Sequence, residues 1–196
     1  MLLISSIILA GGRGSRMGGV DKGLVLFQQQ PLIQHVISRL SSQVDEIIIN
    51  ANREIAQYEA LGYAVLPDNI PDFIGPLAGI HLGLTHSKHD YVLTVPCDSP
   101  LLPLDLAQRL MQGLIVNNAD IAVASSDSNT HPVFCLCKKN ALANLDIYLA
   151  EGGRKVSAWQ KSLKYAEVDF TNCSEAFINL NTLEEVKVLE SQLRDK

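Results

Sequence analysis

Metal-binding and disulfide spacing are both missing from this chain: its four cysteines (Cys97, Cys135, Cys137, Cys173) are scattered, with no CxxC pair among them. That excludes a zinc ribbon and, in a chain of this length, a disulfide-stapled scaffold, so reduced thiols in a cytoplasmic protein are expected. Long hydrophobic runs are missing too, since nothing approaches the ~18 apolar residues of a membrane span. The apolar start, Leu2 to Leu9, has no Lys or Arg before it, is broken by two serines and runs into Gly-Gly-Arg. A buried strand is expected there rather than a secretory leader. Positive charge is in deficit, with 16 Lys and Arg against 21 Asp and Glu and a net charge of −5. A general nucleic-acid binder needs a broad basic surface, so no nucleic-acid partner is expected, and no membrane partner either. A local basic cluster on such a protein points instead to a small anionic ligand.

What is present is an alternation of short apolar runs with segments of helical period. Ser6–Leu9, Glu46–Asn50, Ala64–Leu66, Tyr91–Val95 and Ile121–Ala124 read as strands, several apolar at consecutive positions as in a parallel sheet covered on both faces. Helices are expected from Pro31, with Leu32, Val36, Ile37 and Leu40 on one face, and around Ile55–Leu61, Leu77–Ser87 and Leu104–Ile115. Further on, His131–Lys138 reads as a strand antiparallel to Ile121–Ala124 across a polar loop. Helices Ala141–Leu149 and Val156–Ser162 follow, then a strand at Tyr165–Phe170. Thr182 and Glu185 form a capping box for a closing helix. The expectation is one α/β domain over residues 1–196, a three-layer α/β/α sandwich with a mostly parallel, Rossmann-like sheet and a mixed edge.

The stretch from Leu9 to Lys22, LAGGRGSRMGGVDK, places five glycines in nine residues directly after the first strand. Such a loop lets backbone N–H groups of Gly11, Gly12 and Gly14 approach a ligand closely. Arg16 adds a planar fork and Lys22 a point charge, a combination suited to a triphosphate. Two other phosphate loops are excluded by spacing. GxGxxG aligns Gly12 and Gly14 but requires glycine where Met17 stands, and GxxxxGK[ST] fails because Val20-Asp21 follow Gly19.

These residues carry a resemblance. LAGG…GSRMGGVDK resembles the nucleotide-binding signature of the nucleotidyltransferases, and its GGVDKGL form is most similar to that of the molybdenum cofactor guanylyltransferases. The likeness continues through Asn50-Ala51-Asn52-Arg53, Gly75 to Gly79, Pro96-Cys97-Asp98, His131-Pro132 and Ile178 to Thr182. It implies the nucleotide-diphospho-sugar transferase type of fold. It also implies transfer of GMP from GTP to molybdenum-molybdopterin, with release of pyrophosphate. Contacts with cofactor-synthesis proteins and apo-molybdoenzymes follow from the resemblance alone.

Asp98 closes an apolar strand, where open α/β sheets bind ligands, and a hard carboxylate there suits Mg²⁺. A helix cap would look the same in the sequence. By resemblance, Asp98 holds the metal, while Leu9, Ala10, Gly11, Asn50 and Asp68 hold the guanosine. A carboxylate such as Asp68 can accept both donors on guanine's Watson–Crick edge, although Asn50 and Asp68 also read as ordinary turn residues. Arg13, Gly79, His131, Arg154, Asn179 and Asn181 are candidates for the acceptor side. Gly79 equally suits close helix–sheet packing, and His131 and Asn181 suit plain loop roles. Arg16, Lys22 and Asp98 are the expected catalytic set, acting by positioning and charge neutralisation. The alternatives are a molybdopterin cytidylyltransferase, a transferase for another small phosphate, and a non-catalytic nucleotide-binding module.

Overall fold

The computed structural model describes residues 2–12, 20–70 and 75–194. Arg13, Gly14 and Arg16, all expected at the site, lie outside the described residues. The first strand, β1 (Ile4–Leu9), is followed by a short 3-10 turn at Lys22–Leu24 and a two-stranded hairpin, β2 (Leu26–Phe27) and β3 (Gln30–Pro31). Then come α1 (Leu32–Leu40), β4 (Glu46–Asn50), α2 (Ile55–Glu59), β5 (Ala64–Leu66) and α3 (Pro76–His86). The middle of the chain supplies β6 (Tyr91–Pro96), α4 (Leu106–Val116), β7 (Ile121–Ser126) and β8 (Asn129–Lys138). It closes with α5 (Leu142–Ala150), α6 (Val156–Lys161), β9 (Tyr165–Asp169) and α7 (Leu183–Arg194).

Seven strands form one sheet in the order β5-β4-β1-β6-β8-β7-β9. β5, β4, β1 and β6 run parallel, and β7 and β9 are parallel to each other, while β8 is antiparallel to both β6 and β7. The mixed part lies on the expected side of the sheet, but its antiparallel member is third from the rim rather than at it. Side chains alternate between two cores, as the pleat requires. Ile8, Leu93, Val95, Ala122 and Leu136 pack under α1 and α4. Ile7, Val92, Ile121, Val123 and Cys135 pack under α3, α5 and Trp159 of α6. That is the three-layer sandwich.

Two turns differ from the sequence reading. The β2–β3 hairpin turns through Gln28 and Gln29 at φ 48° and 66°. Tight hairpins need this left-handed pair, normally built from Asn and Gly, so a Gln-Gln turn carries no sequence signal. The Glu190 carboxylate of α7 accepts the Gln28 N–H at 2.6 Å, and Val25, Phe27 and Leu32 pack with Val186 and Leu189 of the same helix. The polar loop expected before β8 is likewise a two-residue turn, Asp127-Ser128, with Ser126 paired to Asn129 and a bulge at Val123/Ala124. The capping box of α7 is formed as expected: the Glu185 N–H donates to Thr182 Oγ1 at 3.2 Å, and the Thr182 N–H to Glu185 Oε2 at 3.0 Å.

Candidate active site

The parallel strands end level with one another, because Leu9 is in register with Asn50 and Pro96, and Asn50 with Leu66. Whatever follows each strand therefore meets at one end of the sheet. Two groups of side chains gather there, one on each side of β1.

On the β4–β5 side stand Asn50, Asn52 and Asp68. The Asp68 carboxylate accepts Asn50 Nδ2 on Oδ1 at 2.8 Å and Asn52 Nδ2 on Oδ2 at 2.8 Å. The Asp68 backbone N–H donates to Asn52 Oδ1 at 2.8 Å, and Asn52 Nδ2 also reaches the Gly11 carbonyl at 3.3 Å. Gly11 lies against all three. A Cβ there would stand 2.8 Å from Asn52 Nδ2 and 3.2 Å from Asn50 Oδ1, so a side chain would have to push Asn52 aside. Gly79, expected on the acceptor side, instead sits buried in α3 beneath Leu9 and Asn50, and a Cβ would come within 2.5 Å of Asn50 Oδ1.

On the β6 side, Asp98 is buried at 7% exposure. Lys22 Nζ donates to its Oδ2 at 3.1 Å and to Asn181 Oδ1 at 2.5 Å. Burial pushes the Asp98 carboxyl above the usual aspartate range, and the Lys22 charge pulls against that shift. Asp98 caps no helix; Asp105 precedes α4. The segment before α7 folds across this pair. The Leu180 N–H donates to the Asp98 carbonyl at 3.0 Å, Asn179 Oδ1 accepts from Ser99 Oγ at 2.5 Å, and Asn181 Nδ2 donates to the Asn179 carbonyl at 3.1 Å. Asn181 therefore joins the Lys22–Asp98 centre directly, and Asn179 stands behind it through Ser99 and Asn181.

Between the two groups lies a network that is buried at Tyr58 and Asp21 and exposed at Arg53 and Gly12. The Tyr58 hydroxyl donates to Asp21 Oδ1 at 2.5 Å, and Arg53 Nη2 lies 3.7 Å from Asp21 Oδ2 while donating to the Gly12 carbonyl at 3.3 Å. Burial raises the Asp21 carboxyl, and the Tyr58 hydrogen bond and Arg53 charge oppose it. Arg53 thus ties Gly12, where the glycine-rich stretch begins, to Asp21, which immediately precedes Lys22. Gly23 lies against the Tyr58 hydroxyl with no space for a Cβ. Asn52, Asp21, Arg53 and Tyr58 were not assigned roles from sequence, and Asn52 and Arg53 stood only within a family-like run.

His131 lies in β8, with its ring stacked on Phe177 at 4.4 Å and Nε2 2.7 Å from Ser126 Oγ. Burial holds its imidazole below the usual histidine range, so at neutral pH it offers a neutral ring rather than a positive charge. Arg154 folds onto the end of α5, donating to the carbonyls of Leu149 at 3.2 Å and Gly153 at 2.7 Å.

Residues 6–166 match the model of the MobA-like NTP transferase domain. The chain belongs to that family. A relative from Polynucleobacter asymbioticus, a molybdenum cofactor guanylyltransferase, is 50% identical over 194 residues, which cover 97% of each chain. The fold matches that of molybdopterin-guanine dinucleotide biosynthesis protein A from Archaeoglobus fulgidus, with TM-score 0.79, 21% identity and coverage of 98% and 100% of the two chains. It also matches 4-diphosphocytidyl-2C-methyl-D-erythritol synthase from Anaerococcus prevotii, with TM-score 0.78, 14% identity and coverage of 98% and 96%. In this MobA-like NTP transferase, the Lys22–Asp98 pair and the Asp68 carboxylate stand beyond the carboxyl ends of the parallel strands.

The Gly79 packing has a measurable consequence. Gly79→Ala drives a methyl into Leu9 and Asn50, at an expected cost of about 1–3 kcal/mol from overpacking. It should also raise the KM for nucleotide by displacing Asn50. Thermal melting and steady-state kinetics check both effects; an unchanged KM would separate Asn50 from nucleotide binding.

Proposed function

We propose that this chain joins GMP from GTP to the terminal phosphate of molybdenum-molybdopterin, forming the guanine dinucleotide cofactor and pyrophosphate. The observation that carries the reading is the pairing, at one end of one sheet, of a carboxylate fit to read guanine (Asp68) with a cation–carboxylate pair fit to hold phosphates (Lys22 and Asp98). Leu9, Ala10, Gly11 and Asn50 line the guanosine between them, and Gly12 begins the phosphate-binding stretch.

An oxygen of the acceptor phosphate attacks the α-phosphorus of GTP in line. A new phosphoanhydride bond forms as the bond from the α-phosphorus to the β-phosphate bridging oxygen breaks, and pyrophosphate leaves with that electron pair. The acceptor oxygen is already ionised, so no general base is needed. Lys22 places positive charge on the phosphates, and Asn181 holds its ammonium together with Asp98. Arg16 would neutralise the leaving pyrophosphate. Asn179, Asn181, His131, Arg154 and Arg13 are assigned to the acceptor, with His131 contributing a neutral ring.

Asp98 fits a divalent cation, expected to be Mg²⁺. Its Oδ1 is buried and has no hydrogen-bond partner among the described residues. No group of three His, Cys, Asp or Glu gathers among them, and Mg²⁺ needs only one or two carboxylates beside waters and substrate phosphates. Such an ion, held by Asp98, would supply charge neutralisation at the α-phosphate. No helix among the described residues is long and apolar enough to cross a membrane. We place the reaction in the cytoplasm, with transient contacts to cofactor-synthesis proteins and apo-molybdoenzymes.

A binding module is separated from an enzyme by titrating GTP and then adding molybdopterin. Stoichiometric pyrophosphate release is expected; GTP affinity without release would overturn the reading.

A further inference from the structure

We infer that Asn52 is a positioning residue for base choice, holding the Asp68 carboxylate as a two-pronged acceptor for adjacent N–H donors such as guanine's N1–H and 2-amino group. This rests on the proposal that Asp68 reads the base. Each Asp68 oxygen already takes one amide hydrogen, from Asn50 on Oδ1 and from Asn52 on Oδ2. A carboxylate offers about four lone-pair sites, so each oxygen keeps capacity for one more donor. Two adjacent donors can meet the two oxygens together, whereas adenine offers only one donor beside an acceptor.

Asn52 does more than fill a valence. Its Oδ1 takes the Asp68 backbone N–H, so the same amide grips Asp68 at main chain and side chain and leaves the carboxylate little freedom to turn. Its Nδ2 reaches the Gly11 carbonyl as well, joining the reader to the loop after β1. Gly11 is bare where a Cβ would press on Asn52 Nδ2 and approach Asp68 Oδ2 at 3.7 Å, so the space in front of the three side chains stays open. Asn52 is itself exposed and packs into no core, so these bonds go to the candidate base site rather than to the fold.

The test is equilibrium titration of the full chain and of Asn52→Ala with GTP and with ITP, which lacks the 2-amino group. Asp68→Asn is measured alongside. The ratio of the two dissociation constants on one preparation does not depend on the folded fraction. Wild type is expected to favour GTP over ITP by about tenfold, the worth of one charge-assisted hydrogen bond. Asn52→Ala should weaken GTP by about tenfold and ITP much less, bringing the ratio towards one, as Asp68→Asn does. A wild-type ratio in Asn52→Ala, whatever the absolute affinity, overturns the inference while a collapsed ratio in Asp68→Asn leaves the base reader standing. Equal binding of GTP and ITP by wild type overturns the base reader and the inference with it.

Discussion

Asp98→Asn is expected to lower kcat/KM by about 10³-fold while leaving the fold intact, because it removes the buried carboxylate that we propose holds a cation against the α-phosphate. The stability change should run the other way from the activity change. Burial raises the Asp98 carboxyl above its ordinary 3.8, so the folded chain binds that proton more tightly than the unfolded chain does. Stability from this group therefore falls as pH rises from about the ordinary value through the raised one. At neutral pH the ionised carboxylate is a cost to the fold, offset in part by Lys22. Asparagine has no charge to desolvate and keeps the shape, so the melting temperature should be unchanged or higher. Steady-state pyrophosphate release and thermal melting read the two effects. Wild-type Mg²⁺-dependent turnover in the variant would remove Asp98 from the mechanism.

Lys22→Met should cost about 10²–10³-fold in kcat/KM, the range for deleting one preorganised charge or donor at a reacting centre. Its pH profile distinguishes it from general damage. Lys22 is what pulls the Asp98 carboxyl down against its burial, so its loss lets that carboxyl rise further. Activity needs the ionised form, and the acid limb of kcat/KM should move to higher pH than in wild type. Asn181 would lose its 2.5 Å partner but keep its bond to the Asn179 carbonyl, so the segment before α7 should stay in place. An acid limb that does not move would mean that Lys22 and Asp98 do not communicate in the working enzyme.

The frame of this molecule was legible in its sequence because buried parallel strands are written as consecutive apolar residues. Ile7, Ile8 and Ile47 to Ile49 could belong to little else, and the polar residues that end or closely follow the parallel strands, Asn50, Asp68 and Asp98, are the ones at the site. The Thr182–Glu185 box marked its helix because capping is local chemistry, complete within four residues. Local signals failed at Gln28-Gln29, where α7 supports a left-handed turn that the turn residues do not advertise.

The site was legible only in part, for a related reason. Lys22 and Asp98 carry their chemistry in their residue types and positions after strands. What holds them does not, since Asn181 is 159 residues from Lys22 in sequence, and Tyr58 is 37 from the Asp21 it orients. No spacing rule reaches that far. Asn52 was hidden by its ordinariness, an exposed Asn after a strand that reads as a turn former. Gly79 was the converse case, a residue suggestive of substrate that packs instead beneath Leu9 and Asn50.

The most direct test is nucleotide choice: Mg²⁺-dependent pyrophosphate release with molybdopterin as acceptor, comparing GTP, CTP and ATP side by side. The predicted result is a clear preference for GTP, set by an Asp68 carboxylate that accepts guanine's paired donors. A preference for CTP would contradict the guanine reading while leaving the phosphate chemistry of Lys22 and Asp98 in place, and no release with any of the three would contradict the proposed transfer itself.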